Sequence, residues 1–101
     1  SNAIEDLPIL PMDDVQTGFY LRMKAVDQPG VLAEITRILS NQEISIEAFI
    51  QKEPAKGETE VNIIMLTHRV IEGQMNKALE EIEALDVITE KVTRIRWESL
   101  K

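Results

Sequence analysis

Asp27-Gln28-Pro29-Gly30-Val31-Leu32 brings together residue types able to hold a small charged ligand. It separates a stretch of strand-like alternation from a stretch of helical periodicity, so it forms a strand-to-helix junction. Pro29 presets φ for a first helical turn. Gly30 has no side chain, so a ligand or a second backbone can come close. The N–H groups near Gly30, Val31 and Leu32 then lack intrahelical acceptors and lie at the positive end of the helix dipole. A carboxylate fits there. Asp27 and Gln28 add an acceptor and an amide, suited to an ammonium or a hydroxyl. Together these groups can recognise a free amino acid. The same residues also make an ordinary turn in which Asp27 caps the helix. Residue types alone leave both readings open.

Other chemistry-bearing residues are sparse. His68 is the only histidine and ends a strand beside Thr67 and Arg69, with no serine or paired carboxylate poised with it, which suits a structural or capping role. There is no cysteine, which excludes disulfides, thiolate catalysis and thiolate metal sites, and one histidine makes no zinc site. No catalytic and no metal-binding residue is therefore assigned. Glu80, Glu81 and Glu83 read as a solvated helix face. Arg94 and Arg96 share a strand face and suit surface ion pairs. Trp97 suits an edge or interface anchor.

The net charge of −7 argues against nucleic acid and against an anionic membrane surface. Glu5, Asp6, Asp13 and Asp14 stand in the N-terminal stretch without a basic residue among them. No apolar run approaches the roughly 18 residues that span a bilayer, and no signal peptide is visible. The expectation is a soluble cytoplasmic domain. Ser1-Asn2-Ala3 looks like the scar of a removed tag.

Hydropathy patterning supplies the elements that must position the junction. Residues 4–18 read as a linker from an absent catalytic region, with Pro8 and Pro11 breaking helix and Gly18 closing it. Its apolar Ile4, Leu7, Ile9, Leu10 and Met12 are expected to pack against that region or the edge of this domain. Residues 19–26 alternate as a strand. Val31, Leu32, Ile35, Ile38 and Leu39 recur at helical spacing, ending at Asn41 and Gln42. Residues 44–51 alternate again, with Ile44, Ile46, Ala48 and Ile50 on one face. Residues 52–59 form a hairpin loop. Residues 61–68 carry apolar residues on both faces, as a central strand does. Met75, Ala78, Leu79, Ile82 and Leu85 mark a second helix, and residues 91–97 a last strand. The order βαββαβ predicts an α+β, ferredoxin-like sandwich: a four-stranded antiparallel sheet with both helices on one face.

The D-x-P-G-V-L motif at the first strand-to-helix junction of a βαββαβ chain resembles the signature of ACT domains, which bind amino acids and regulate metabolic enzymes. YLRMKAVDQPGVLAEITRILSNQEISIEAFIQKE, followed by IIMLTH and VTRIRWE, is similar to the C-terminal ACT domain of bacterial homoserine dehydrogenases. The resemblance covers about residues 5–99, including the LPILPMDDV lead-in, and puts the regulatory domain at 19–99. It implies a parent oxidoreductase that interconverts aspartate semialdehyde and homoserine with NAD(P), under feedback control by threonine. It also implies a homodimer or higher oligomer, with the effector held where the loop after the first strand meets a neighbouring subunit. On that basis Asp27, Gln28, Gly30, Val31 and Leu32 are expected to bind the effector, and Ser45 or Ile46 to close the pocket. The fragment itself carries no cofactor motif, since Gly30 stands alone without G-x-G-x-x-G. Two other classes were open: a structural dimerisation module with no working effector site, and an RNA binder, which the acidity and the lack of an aromatic RNP motif oppose.

Overall fold

The computed structural model describes residues 16–97. The first strand, β1 (Gln16–Val26), buries Phe19, Leu21, Met23 and Ala25, every second residue, as its alternation requires. It begins three residues earlier than expected. Gly18 therefore lies within the strand instead of closing the linker. It pairs with Trp97, and a Cβ on Gly18 would sit 2.7 Å from the indole Cε2. The aromatic ring covers a strand glycine that reads locally as a break. The expected linker residues 4–15 and tag scar lie outside the described residues.

After β1 come α1 (Val31–Asn41), β2 (Ile46–Lys52), β3 (Glu60–Thr67), β4 (Val70–Ile71), α2 (Glu72–Glu83) and β5 (Thr93–Trp97). All strand pairs are antiparallel, and the sheet has five strands where four were expected. The extra one is the two-residue β4, which pairs with Gln16 and Thr17. It is too short to leave a periodic signal. Between the pairs Thr17–Val70 and Tyr20–Leu66 one strand advances three residues and the other four. Thr67 bridges this irregularity: its buried Oγ1 accepts the Phe19 N–H at 3.0 Å. Among the described residues no helix is long and apolar enough to cross a membrane.

Both helices cover one face of the sheet. Val31, Ile35, Ile38 and Leu39 of α1 and Met75, Ala78, Leu79 and Ile82 of α2 are buried there. They meet Val61, Ile63 and Met65 of β3 and the buried row of β1. Helix α1 ends as the Ile44 N–H donates to Leu39 O at 2.9 Å, with Glu43 at φ 61. This left-handed closure matches a Schellman-type end in which a glutamate stands where glycine is usual. It drops Ile44 into the core just before β2 begins.

The expected single face of Ile44, Ile46, Ala48 and Ile50 is broken by a β-bulge. Ile46 pairs with Thr67 but Ala48 pairs with Leu66, so one residue is inserted. Ile46 consequently packs toward the helices, whereas Ala48 and Ile50 share the outer face with Leu66 and Ile64. Arg96 pairs with Glu72 at 2.9 Å, the surface ion pair expected of it, whereas Arg94 donates to the neutral amide oxygen of Asn76 instead of an acidic partner. Glu83 is half-buried and accepts the Val92 N–H at 2.7 Å, a structural task that a solvated face does not predict.

Candidate functional site

The junction between β1 and α1 is held from both sides. The Val26 N–H donates to Val87 O at 2.8 Å, and the Asp27 N–H to Thr59 O at 2.9 Å. The chain then turns through Gln28-Pro29-Gly30-Val31. Gly30 has φ 86 and ψ −10, the geometry of the third residue of a type II turn, with Pro29 in the favoured second place. Pro29 thus shapes the turn before the helix and does not occupy the first helical position. Gly30 is the N-cap residue. A Cβ built on it meets nothing within 4 Å, so its positive φ, and no close approach, is what calls for glycine.

No side chain caps α1. The alternative in which Asp27 bonds the helix start is therefore not what the fold adopts. The first helical bond of the turn runs from the Glu34 N–H to Gly30 O at 3.0 Å. Val31, Leu32 and Ala33 precede it, so their N–H groups have no intrahelical acceptor. They stand at the positive end of an eleven-residue helix.

These groups border a cavity of about 560 Å³, within the size range of small-molecule clefts. Val61 and Ile63 of β3 supply its apolar lining. Asp27, Gln28, Gly30, Val31 and Leu32, five of the seven expected effector contacts, line it together. The arrangement offers unpaired N–H donors for a carboxylate, a carboxylate and amides for polar groups, and aliphatic surface for a short side chain.

Ser45 and Ile46 do not join them in the same chain. Helix α1 carries the chain about 16 Å back along the sheet, so β2 starts at the opposite end. There Ser45 O accepts the His68 N–H at 2.9 Å, and Ile46 pairs with Thr67. The residue of β2 that reaches the cavity is Gln51, opposite Ile63. Only strand register brings Gln51 here; an alternation pattern with the bulge unrecognised puts it on the wrong face. His68 is exposed, and its backbone role at the end of β3 fits a structural residue.

On the outer side of α1, Arg37 hydrogen-bonds Glu34 and holds its carboxyl below the usual glutamate range. This pair stabilises the first turns of the helix without entering the cavity. No group of three or more potential metal ligands occurs among the described residues.

The fold and the site define a class. The ACT domain family model matches residues 19–87, and the chain belongs to that family. Among named relatives, it is 55% identical over 99 residues to a homoserine dehydrogenase of Methylobacillus glycogenes, covering 98% of this chain and 24% of the relative. It is 44% identical over 99 residues to a homoserine dehydrogenase of Pseudomonas aeruginosa, covering 98% of this chain and 23% of that protein. The crystal structure of a homoserine dehydrogenase from Thiobacillus denitrificans superposes with a TM-score of 0.81 at 53% identity, over 92% of this chain and 20% of that one. The chain thus spans about a quarter of the length of these curated relatives.

Proposed function

We propose that this chain is the effector-binding regulatory domain of a homoserine dehydrogenase and that the cavity between β1 and α1 binds threonine. The observation that carries the proposal is the uncapped start of α1 opening on a cavity with both polar and aliphatic walls. The effector carboxylate takes the N–H groups of Val31 and Leu32 beside Gly30. Asp27 and Gln28 take its ammonium and hydroxyl groups. Val61 and Ile63 face its methyl group. Identity to homoserine dehydrogenases across nearly the whole chain supports the choice of parent.

The parent reaction interconverts aspartate semialdehyde and homoserine with NAD(P). The junction does not fit that cofactor: Gly30 is a single glycine with no G-x-G-x-x-G around it. Nicotinamide chemistry is therefore assigned to the remaining three-quarters of the relatives' length, and this fragment is assigned no dehydrogenase activity. Two copies pair in a homodimer through the exposed edge of β2, which presents free backbone groups. Such pairing is the route by which Ser45 or Ile46 of one copy could approach the cavity of another. Occupancy biases the dimer geometry, and the lead-in to β1 transmits that bias to the catalytic region.

Calorimetric titration of the 101-residue protein with threonine, isoleucine, serine, methionine and lysine tests the assignment. Saturable binding of threonine alone is expected. Silence across the panel in a dimeric sample refutes the effector reading.

A further inference from the structure

The sheet face turned away from the helices is apolar near the start of β1 and basic toward its end. Along β1 the outward row runs Tyr20, Arg22, Lys24. Its ladder partners are Ile95 and Thr93 on β5, and Leu66, Ile64 and Asn62 on β3. At the basic end the Thr89 N–H donates to Lys24 O at 3.1 Å, which brings Glu90 and Lys91 alongside. Arg22, Lys24, Lys91, Asn62, Thr93 and Glu90 together line a cavity of about 200 Å³. It opens on the opposite side of the sheet from the cavity at the start of α1, which is lined by the inward-facing Val61 and Ile63.

The wall of this second cavity is polar, and nearly all its groups are donors. The guanidinium of Arg22, the ammonium groups of Lys24 and Lys91, the Asn62 amide and the Thr93 hydroxyl can each donate. Glu90 is the one acid among the described lining residues, 3.7 Å from Lys24. Three bases against one acid reverses the balance of the whole chain, which has 11 Lys and Arg against 18 Asp and Glu. Like charges gathered on one face repel one another and raise the concentration of anions in front of them. Lys24 and Lys91 also border acids on neighbouring surface, Glu60 and Glu83 respectively. Arg22 has no such outlet: no ion pair holds it among the described residues, and its ladder partners are Ile64 and Thr93. A planar fork of N–H groups beside a hydroxyl matches the oxygens of a phosphoryl group. The cavity is smaller than the roughly 300–1,000 Å³ of clefts that take drug-sized molecules. It suits one or two phosphoryl groups and not a whole nucleotide.

We propose that Arg22, Lys24 and Lys91, with Asn62 and Thr93, form a second ligand site that takes a small phosphate-class anion. Arg22 grips two of its oxygens, Lys24 and Lys91 balance its charge, and Asn62 and Thr93 donate to the remaining oxygens. Glu90 opposes the ligand and lowers its affinity. The site is independent of the threonine assignment, since it lies across the sheet from that cavity.

Titration of the 101-residue protein with inorganic phosphate and with pyrophosphate, followed by amide NMR at an ionic strength held constant with sodium chloride, tests the site. Saturable shifts at Arg22, Asn62 and Thr93 are expected, unchanged by added threonine. Arg22→Gln combined with Lys91→Gln should weaken binding about tenfold or more, because two charge-assisted contacts are lost. Both side chains are exposed, so the core is untouched. Glu90→Gln removes the opposing charge and should tighten binding about threefold or more, a gain that a misfolded chain would not give. Shifts that sodium chloride alone reproduces, full affinity in the double variant, or unchanged affinity in Glu90→Gln overturns the proposal. So does displacement of the anion by threonine with shifts centred on Val31 and Leu32, because the anion would then occupy the start of α1.

Discussion

Replacing Gly30 and Gly57 separately by alanine should cost the same stability, but only the change at Gly30 should weaken threonine binding. The two glycines have φ of 86 and 87, and a Cβ on either meets nothing within 4 Å. Neither alanine collides with a neighbour, so the destabilisation is the backbone strain of an L-residue in the left-handed region, about 1–2 kcal/mol. For a domain of this size that lowers Tm by about 4–16 °C. Gly57 lies in the loop between β2 and β3, away from the cavity. Gly30 borders the cavity, where an added methyl enters ligand space and a relaxed turn re-aims the N–H groups of Val31 and Leu32. Calorimetry well below both Tm values should show about tenfold weaker threonine binding for Gly30→Ala, equivalent to ~1.4 kcal/mol, and unchanged binding for Gly57→Ala. Gly30→Asn and Gly30→Asp then separate charge from bulk. Both side chains tolerate positive φ, and only the aspartate repels a carboxylate, so its variant should bind no detectable threonine. Equal affinities for the asparagine and aspartate variants, or full affinity in Gly30→Ala, would refute a carboxylate at this helix start.

Thr67→Val keeps the side-chain volume but removes the acceptor of the buried Phe19 N–H; it should cost about 1–3 kcal/mol, whereas Thr67→Ser keeps the bond and should lose less, as chemical denaturation can measure. Gln51→Leu should weaken threonine binding about two- to tenfold, the worth of one neutral hydrogen bond, with little change in Tm because the side chain is exposed; unchanged affinity removes Gln51 from the site. Arg37 holds the Glu34 carboxyl below its ordinary range. A depressed carboxyl stabilises the folded state above its unfolded pKa, and that contribution is lost as pH falls through the folded value. In Arg37→Ala, the Glu34 titration followed by NMR should move up toward the usual range, and the acid limb of unfolding should lose that component.

Hydropathy period made most of the fold legible, because a burial alternation of two in β1 and β3 and a stripe at 3.6 in α1 and α2 each have one packing solution. The departures share a cause: they depend on partners distant in sequence. Gly18 reads as a break until Trp97, on another strand, is laid over it. The bulge between Ile46 and Ala48 leaves no trace in the pattern, because β2 carries apolar residues on both of its faces. Five cavity residues were legible because they are consecutive or nearly so, and local backbone geometry brings them together. Gln51 was not, since only its register against Ile63 brings it to the cavity. Ser45 and Ile46 lie far from the cavity of their own chain because α1 displaces the chain along the sheet before β2 begins, a displacement that the alternation pattern does not show.

The missing cap on α1 also bears on how long the domain survives. A serine or aspartate at a helix start usually adds about 1 kcal/mol, and α1 goes without it. An amino acid whose carboxylate completes that first turn binds the folded chain and not the unfolded one. At a hundredfold excess over Kd it adds about 2.7 kcal/mol to unfolding. Helix α1 also contributes Ile35, Ile38 and Leu39 to the core, so the added stability belongs to the whole domain and not to one loop. The effector is then a folding partner as well as a signal. Resistance to proteolysis would then rise and fall with occupancy of the cavity.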